Sequence, residues 1–117
     1  MIMTSSSRYM VVHKPVDFRK GHDGLYAEAR ALNLNPLKGD VVIFVSRNKR
    51  RIKVLWADRT GMWVGTKKFL EGAVKTQFQF LKDPTAKETT PAELAMLLEG
   101  IAYEITKRPK LSSFRAA

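Results

Sequence analysis

Cysteine is absent from the 117 residues, which excludes disulfides, thiolate nucleophiles and cysteine-held metals and fits a reducing compartment. Histidine occurs twice, at His13 and His22; the spacing carries no metal-ligand signature, so both are read as surface residues. Long apolar runs are missing too. Runs such as residues 41–45 fall far short of the roughly 18 residues that span a bilayer. The opening "MIMTSSSRYM" has no apolar stretch of the kind a secretory signal needs. A soluble, cytoplasmic protein with no membrane partner is the expectation. Acidic residues are scarce as well, with 11 Asp and Glu against 21 Lys and Arg, a net charge of +10.

What is present is unevenly placed. Between Arg47 and Lys75 stand nine cations and two anions, so this window holds +7 of the net +10. Such asymmetry makes a local positive field that draws in polyanions; solubility alone is the plainer reading. Composition supports one folded unit, since 44% of the residues are apolar and a chain of this length buries roughly two thirds of its unfolded surface.

Periodicity divides the chain into elements. Residues 8–13 (RYMVVH) read as a strand, and Asp17 reads as the N-cap of a helix beginning at Phe18, with Leu25, Ala29 and Leu32 along one stripe. Pro36 closes that helix, because the residue before a proline disfavours helical geometry. Residues 40–46 (DVVIFVS) are β-branched and aromatic and nearly all apolar, as for a strand covered on both faces. Residues 51–57 (RIKVLWA) alternate, with Ile52, Val54 and Trp56 on one face. "RNKR" joins these two strands as a hairpin tip, and "ADRTG" makes the next turn. "MWVGTKKF" and "VKTQFQFL" read as a third and fourth strand of the meander, and "KDPTAKETT" as a loop. In "TPAELAMLLEGI", Thr90 is the N-cap, Pro91 the first helical residue and Glu93 the partner in a capping box. Leu94, Leu97, Leu98 and Ile101 form its apolar stripe, and Gly100 ends it.

No constellation points to catalysis. Asp17, Asp23, Asp40 and Asp58 each have a turn or capping context, and neither a nucleophile elbow nor a phosphate loop is present. The chain is therefore read as a non-enzyme, with no cofactor and no metal. The candidate surface is instead cationic: Arg47, Lys49, Arg50 and Arg51 at the hairpin tip, Lys53 on the strand after it, and Lys67 and Lys68 on the strand that pairs with it. These would meet phosphates one cation at a time, giving affinity without sequence reading. Trp56 shares a face with Ile52 and Val54 and is read as core. Trp63 is either packed or a platform for base stacking.

Four motifs in order, "VDFRKGHDGL", "FVSRNKRRIKVLWADRTG", "KKFLEG" and "TPAELAMLLEGI", resemble the TnpB-type accessory protein of the insertion sequence 66 family of bacterial transposable elements. The resemblance runs over about residues 9–102. It matches the family's Asp-x-Arg-Lys at Asp17, Arg19 and Lys20. The basic hairpin is matched at Arg47, Arg50, Arg51, Ile52 and Lys53, and the turn at Asp58 and Gly61. Lys67 and Lys68 match the basic pair before Leu70, Glu71 and Gly72. It departs after Gly72, where "AVKTQFQF" stands in place of an aromatic followed by Trp-Pro. The resemblance implies an accessory encoded beside a separate transposase that carries the catalytic acids.

Residues and resemblance together give one α+β domain over residues 9–106, with flexible segments at 1–8 and 107–117. An antiparallel meander of four to five strands is packed by two helices. The expected function is a non-catalytic role in DNA transposition, binding nucleic acid, element DNA above all, through the basic hairpin, with Arg19 and Lys20 extending the patch. The rival is a subunit that docks onto the transposase of the same element without touching DNA. Oligomeric state is not fixed by the sequence.

Overall fold

In the computed structural model, residues 7–75, 78–83 and 85–100 are described. The elements are β1 (Arg8–Val12), α1 (His22–Ala31), a single 3-10 turn (Pro36–Lys38), β2 (Asp40–Val45), β3 (Arg51–Ala57), β4 (Met62–Lys68), β5 (Ala86–Thr89) and α2 (Pro91–Glu99). The five strands form one sheet in the order β4-β3-β2-β1-β5. It is α+β and mostly antiparallel, as the alternation implied, but β1 runs parallel to β2.

Strand alternation builds two apolar layers. Tyr9, Val11, Val41, Ile43, Val45, Ile52 and Val54 face one side, where Phe69, Val74, Phe78 and Leu94 of α2 cover them. Met10, Val12, Val42, Phe44 and Leu55 face the other, under Leu25 and Ala29 of α1 and Leu34. Covered on both faces, β2 is buried at all six positions, and its nearly unbroken apolar sequence follows from that. Each large side chain buried in this way contributes about 1.5–3 kcal/mol.

Three local expectations are corrected. α1 begins at His22 with Gly21 as N-cap, not at Phe18. Asp17 instead accepts the Arg19 N–H and closes a turn in which Lys20 N–H donates to the Asp17 carbonyl. Among the described residues of 74–81 there is no strand: Phe78 N–H turns back to the Lys75 carbonyl, and Val74 and Phe78 point into the core as plugs. The fifth strand comes instead from Ala86–Thr89, expected as a loop, which pairs with the edge that β1 leaves open. α2 matches its sequence signals in full: Thr90 caps it, Glu93 returns the bond and Gly100 ends it at φ 71°. The expected flexible tail at 107–117, most of the N-terminal segment and the Ile101 contact lie outside the described residues. No helix of the described residues is long and apolar enough to cross a membrane.

Candidate nucleic-acid interface

The β2–β3 hairpin presents the basic cluster. Ser46 N–H donates to the Arg51 carbonyl and Lys49 N–H to the Ser46 carbonyl, closing the tip. Lys49 takes φ 62°, a left-handed conformation that costs a non-glycine residue roughly 1–2 kcal/mol. Tertiary bonds hold it there. The Lys49 carbonyl accepts the Val74 N–H, the Arg50 carbonyl accepts the Phe69 N–H, and Lys49 Nζ donates to the Phe78 carbonyl at 2.9 Å.

β3 and β4 pair in a register that decides where each cation goes. Arg51 lies opposite Lys68, Ile52 opposite Lys67, and Lys53 opposite Thr66. Opposed residues share a face, so Lys67 joins Ile52 on the α2 side, while Arg51, Lys53 and Lys68 look toward the α1 side. The expected patch is therefore divided by the sheet itself.

On the α2 side the lysines serve the fold. Lys67 Nζ donates to the Leu98 carbonyl in the last turn of α2, where a cation also meets the negative end of the helix dipole. Its ammonium stands 4.8 Å from the Phe69 ring centroid. Gly100 completes this helix end: a Cβ there would lie 2.5 Å from Phe69 Cε1 and 2.7 Å from the Ala73 carbonyl oxygen.

On the α1 side, Lys53 Nζ bridges the Phe18 and Lys20 carbonyls at 2.7 and 3.0 Å, clamping the 17–20 turn onto the sheet. Arg19, in that turn, pairs with Asp17, the guanidinium Nη2 reaching Oδ2 at 2.7 Å. The bonds from Arg19 hold the Asp17 carboxyl down at about 2. Lys20 and Lys14 share Glu28, whose carboxyl they lower. Arg47 and Arg51 line a groove with Val16, Phe18, Ser46 and Asn48, the side chain of Asn48 accepting the Arg50 N–H. Among the described residues, no carboxylate pairs with Arg47, Arg51 or Lys68. Directly opposed side chains of this kind have Cβ atoms about 5 Å apart, and like charges there are destabilising. Arg51 and Lys68 thus stand as an uncompensated cationic pair beside Arg47.

The tryptophans form a second feature. Trp56 and Trp63 face each other across β3 and β4 with ring centroids 6.0 Å apart and planes 6° from parallel. Trp56 packs against the α2-side core, as its shared face with Ile52 and Val54 implied. Trp63 is 55% exposed. Its Nε1–H donates to Asp58 Oδ2 at 2.8 Å, while Asp58 Oδ1 accepts the N–H groups of Thr60 and Gly61. The Trp63 bond and those turn bonds depress the Asp58 carboxyl to about 2. Sequence reading passed over both the Asp58 lock and the groove residues Val16, Phe18 and Asn48. The spacing of Asp58, Gly61 and Trp63 across one tight turn was the available signal for the first; nothing local announces the second.

The architecture and this face define a small mixed-sheet α+β domain with a basic hairpin flank. The family model described as IS66 Orf2 like protein matches residues 7–108, and the chain belongs to that family. It is thereby a transposition-associated accessory protein, in a family not known for catalysis. Two relatives come from Sinorhizobium fredii (strain NBRC 101917 / NGR234). The uncharacterized protein y4jC is 36% identical over 102 residues, covering 86% of this chain and 85% of its own length. The uncharacterized protein y4hO is 33% identical over 92 residues, covering 74% of each chain. No solved structure matches.

Proposed function

We propose that this accessory protein binds nucleic acid, element DNA above all, through the α1-side flank of the β2–β3 hairpin, without catalysing a reaction on it. One observation carries the reading: Arg51 and Lys68 are set opposite each other, with Arg47 in the adjoining groove, and none of the three meets a carboxylate among the described residues. A fold that keeps such a pair forgoes stability, and an anion supplied from outside restores it. A phosphate backbone offers anions in series. The Arg51 guanidinium fork suits a phosphate bidentately, whereas Lys68 acts as a point charge. Lys53 adds to the field without free geometry, and Arg19 and Lys20 border the same flank while held by Asp17 and Glu28. Contacts of this type fix position and carry no sequence information.

The test is an electrophoretic shift with matched element-end and random duplexes over a salt series, beside a pull-down with the transposase of the same element. Reversing Arg47 and Arg51 together to Glu is expected to weaken binding to both duplexes alike, with the fold intact by circular dichroism. Capture of the transposase with no shift of either DNA would replace this reading with a docking role.

A further inference from the structure

We infer that Trp63 is a stacking platform for an unpaired base, which makes the preferred ligand single-stranded DNA. This rests on the nucleic-acid reading above and narrows it to a class of strand. The ring is held before any ligand arrives. One face is turned toward Trp56 at 6.0 Å, the indole N–H is bound by Asp58, and Asp58 is itself held by the turn N–H groups of Thr60 and Gly61. Side chains fixed in their bound geometry lose little freedom on association. The opposite face looks away from the sheet, because β4 is the edge strand and no further strand lies beside it among the described residues. Hence the ring stays 55% exposed although it is locked.

The surroundings select a base over a phosphate at this point. Asp58 keeps a full negative charge beside the indole, its carboxyl being held at about 2, and this repels phosphate oxygens. Positive charge stands further along: Lys67 lies on the same face four residues on, about 13 Å away by strand rise, and adds to the field while its ammonium is held by the Leu98 carbonyl. Gly65, between Trp63 and Lys67, leaves the space that the Trp56 ring fills, a Cβ there lying 3.4 Å from Trp56 Cζ3, so the flank of the Trp56–Trp63 stack continues toward Lys67. Lys68 is the next residue and faces the α1 side, opposite Arg51. A strand that stacks on this ring on the α2 side reaches the basic flank only by crossing the open β4 edge to Lys68 and Arg51. In a duplex both faces of each interior base are already stacked, so this ring has a partner only where bases are unpaired.

The test titrates oligothymidine and a duplex of equal length into the wild-type protein and into Trp63→Thr, a β-former without a ring, with Trp63→Phe as the ring-retaining control. Affinity is read by anisotropy of labelled DNA over a salt series. Loss of the ring is expected to weaken oligothymidine binding roughly 5- to 150-fold, the range for one stacked base. Duplex affinity is expected to change less than about twofold and the salt slope to hold, since no phosphate contact is removed. Trp63→Phe is expected to keep most of the oligothymidine affinity. Equal losses for both DNAs, no loss for oligothymidine, or a loss confined to transposase binding overturns the inference. If the wild-type protein binds neither DNA at low salt, the basic-flank reading falls and this inference with it. If duplex binding is salt-dependent while oligothymidine binding ignores residue 63, the inference falls alone.

Discussion

Replacing Lys68 by Glu is expected to make the fold more stable and the DNA complex weaker, a pairing of effects that few surface substitutions produce. Lys68 lies directly opposite Arg51 across β3 and β4, so the substitution turns a like-charge pair into an opposed one. Opposite charges at that spacing contribute about 0.2–1 kcal/mol, and like charges cost a similar amount. Both side chains are exposed, so water and salt screen the gain, and a net change of roughly 0.5–1 kcal/mol is reasonable at low ionic strength. For a chain of this length that raises Tm by about 2–5 °C. Binding moves the other way: one phosphate contact is lost and a repulsion is added, so the slope of log K against log salt falls in magnitude by about 1–2. Because Glu keeps a charge on the edge strand, protection against edge-to-edge association is retained. Thermal unfolding at low and high salt, with anisotropy on the same samples, measures both. A Tm that falls at low salt would refute the uncompensated pair, and an unaltered salt slope would remove Lys68 from the interface.

Further outcomes follow from the same geometry. Gly100→Ala places a Cβ against Phe69 and the Ala73 carbonyl at a backbone conformation with φ +71°; the expected loss is about 2–4 kcal/mol by denaturant unfolding. Lys53→Met strips the donor from the Phe18 and Lys20 carbonyls and is expected to cost about 1–3 kcal/mol, while altering the DNA salt slope less than Arg51→Ala does. Asp58 titrates in the fold at about 2, below its ordinary 3.8, so its contribution to stability is complete above that ordinary value and is lost as pH falls from there through about 2. Trp63 emission is expected to shift over that window, and Asp58→Asn to abolish the shift.

Local chemistry was legible in the sequence wherever neighbours in the chain are also partners in the fold. The capping box at Thr90 and Glu93, the buried run of β2 and both hairpins fall in this class. β1 itself was legible as a strand, but its pairing was not: its parallel partner β2 lies beyond α1, and the register of Tyr9 with Val41 depends on how that crossover packs. The stretch around Phe78 alternates like a strand, yet Val74 and Phe78 are buried from a turn in which the Phe78 N–H bonds back to the Lys75 carbonyl. In the candidate site, the identity of the cations was readable and their division between two faces was implicit in the β3 alternation. The capping of carbonyls by Lys49, Lys53 and Lys67 was not. Which carbonyls lack partners is fixed only when α2, the 17–20 turn and Phe78 are docked.

The most direct test of the basic flank is the salt dependence of DNA affinity for the wild-type chain against a variant with Arg47, Arg51 and Lys68 all replaced by Ala. If each cation neutralises one phosphate, the slope of log K against log salt is expected to fall in magnitude by about 2.7 for duplex DNA, and somewhat less for a single strand. An unchanged slope in a folded variant would contradict the proposed interface.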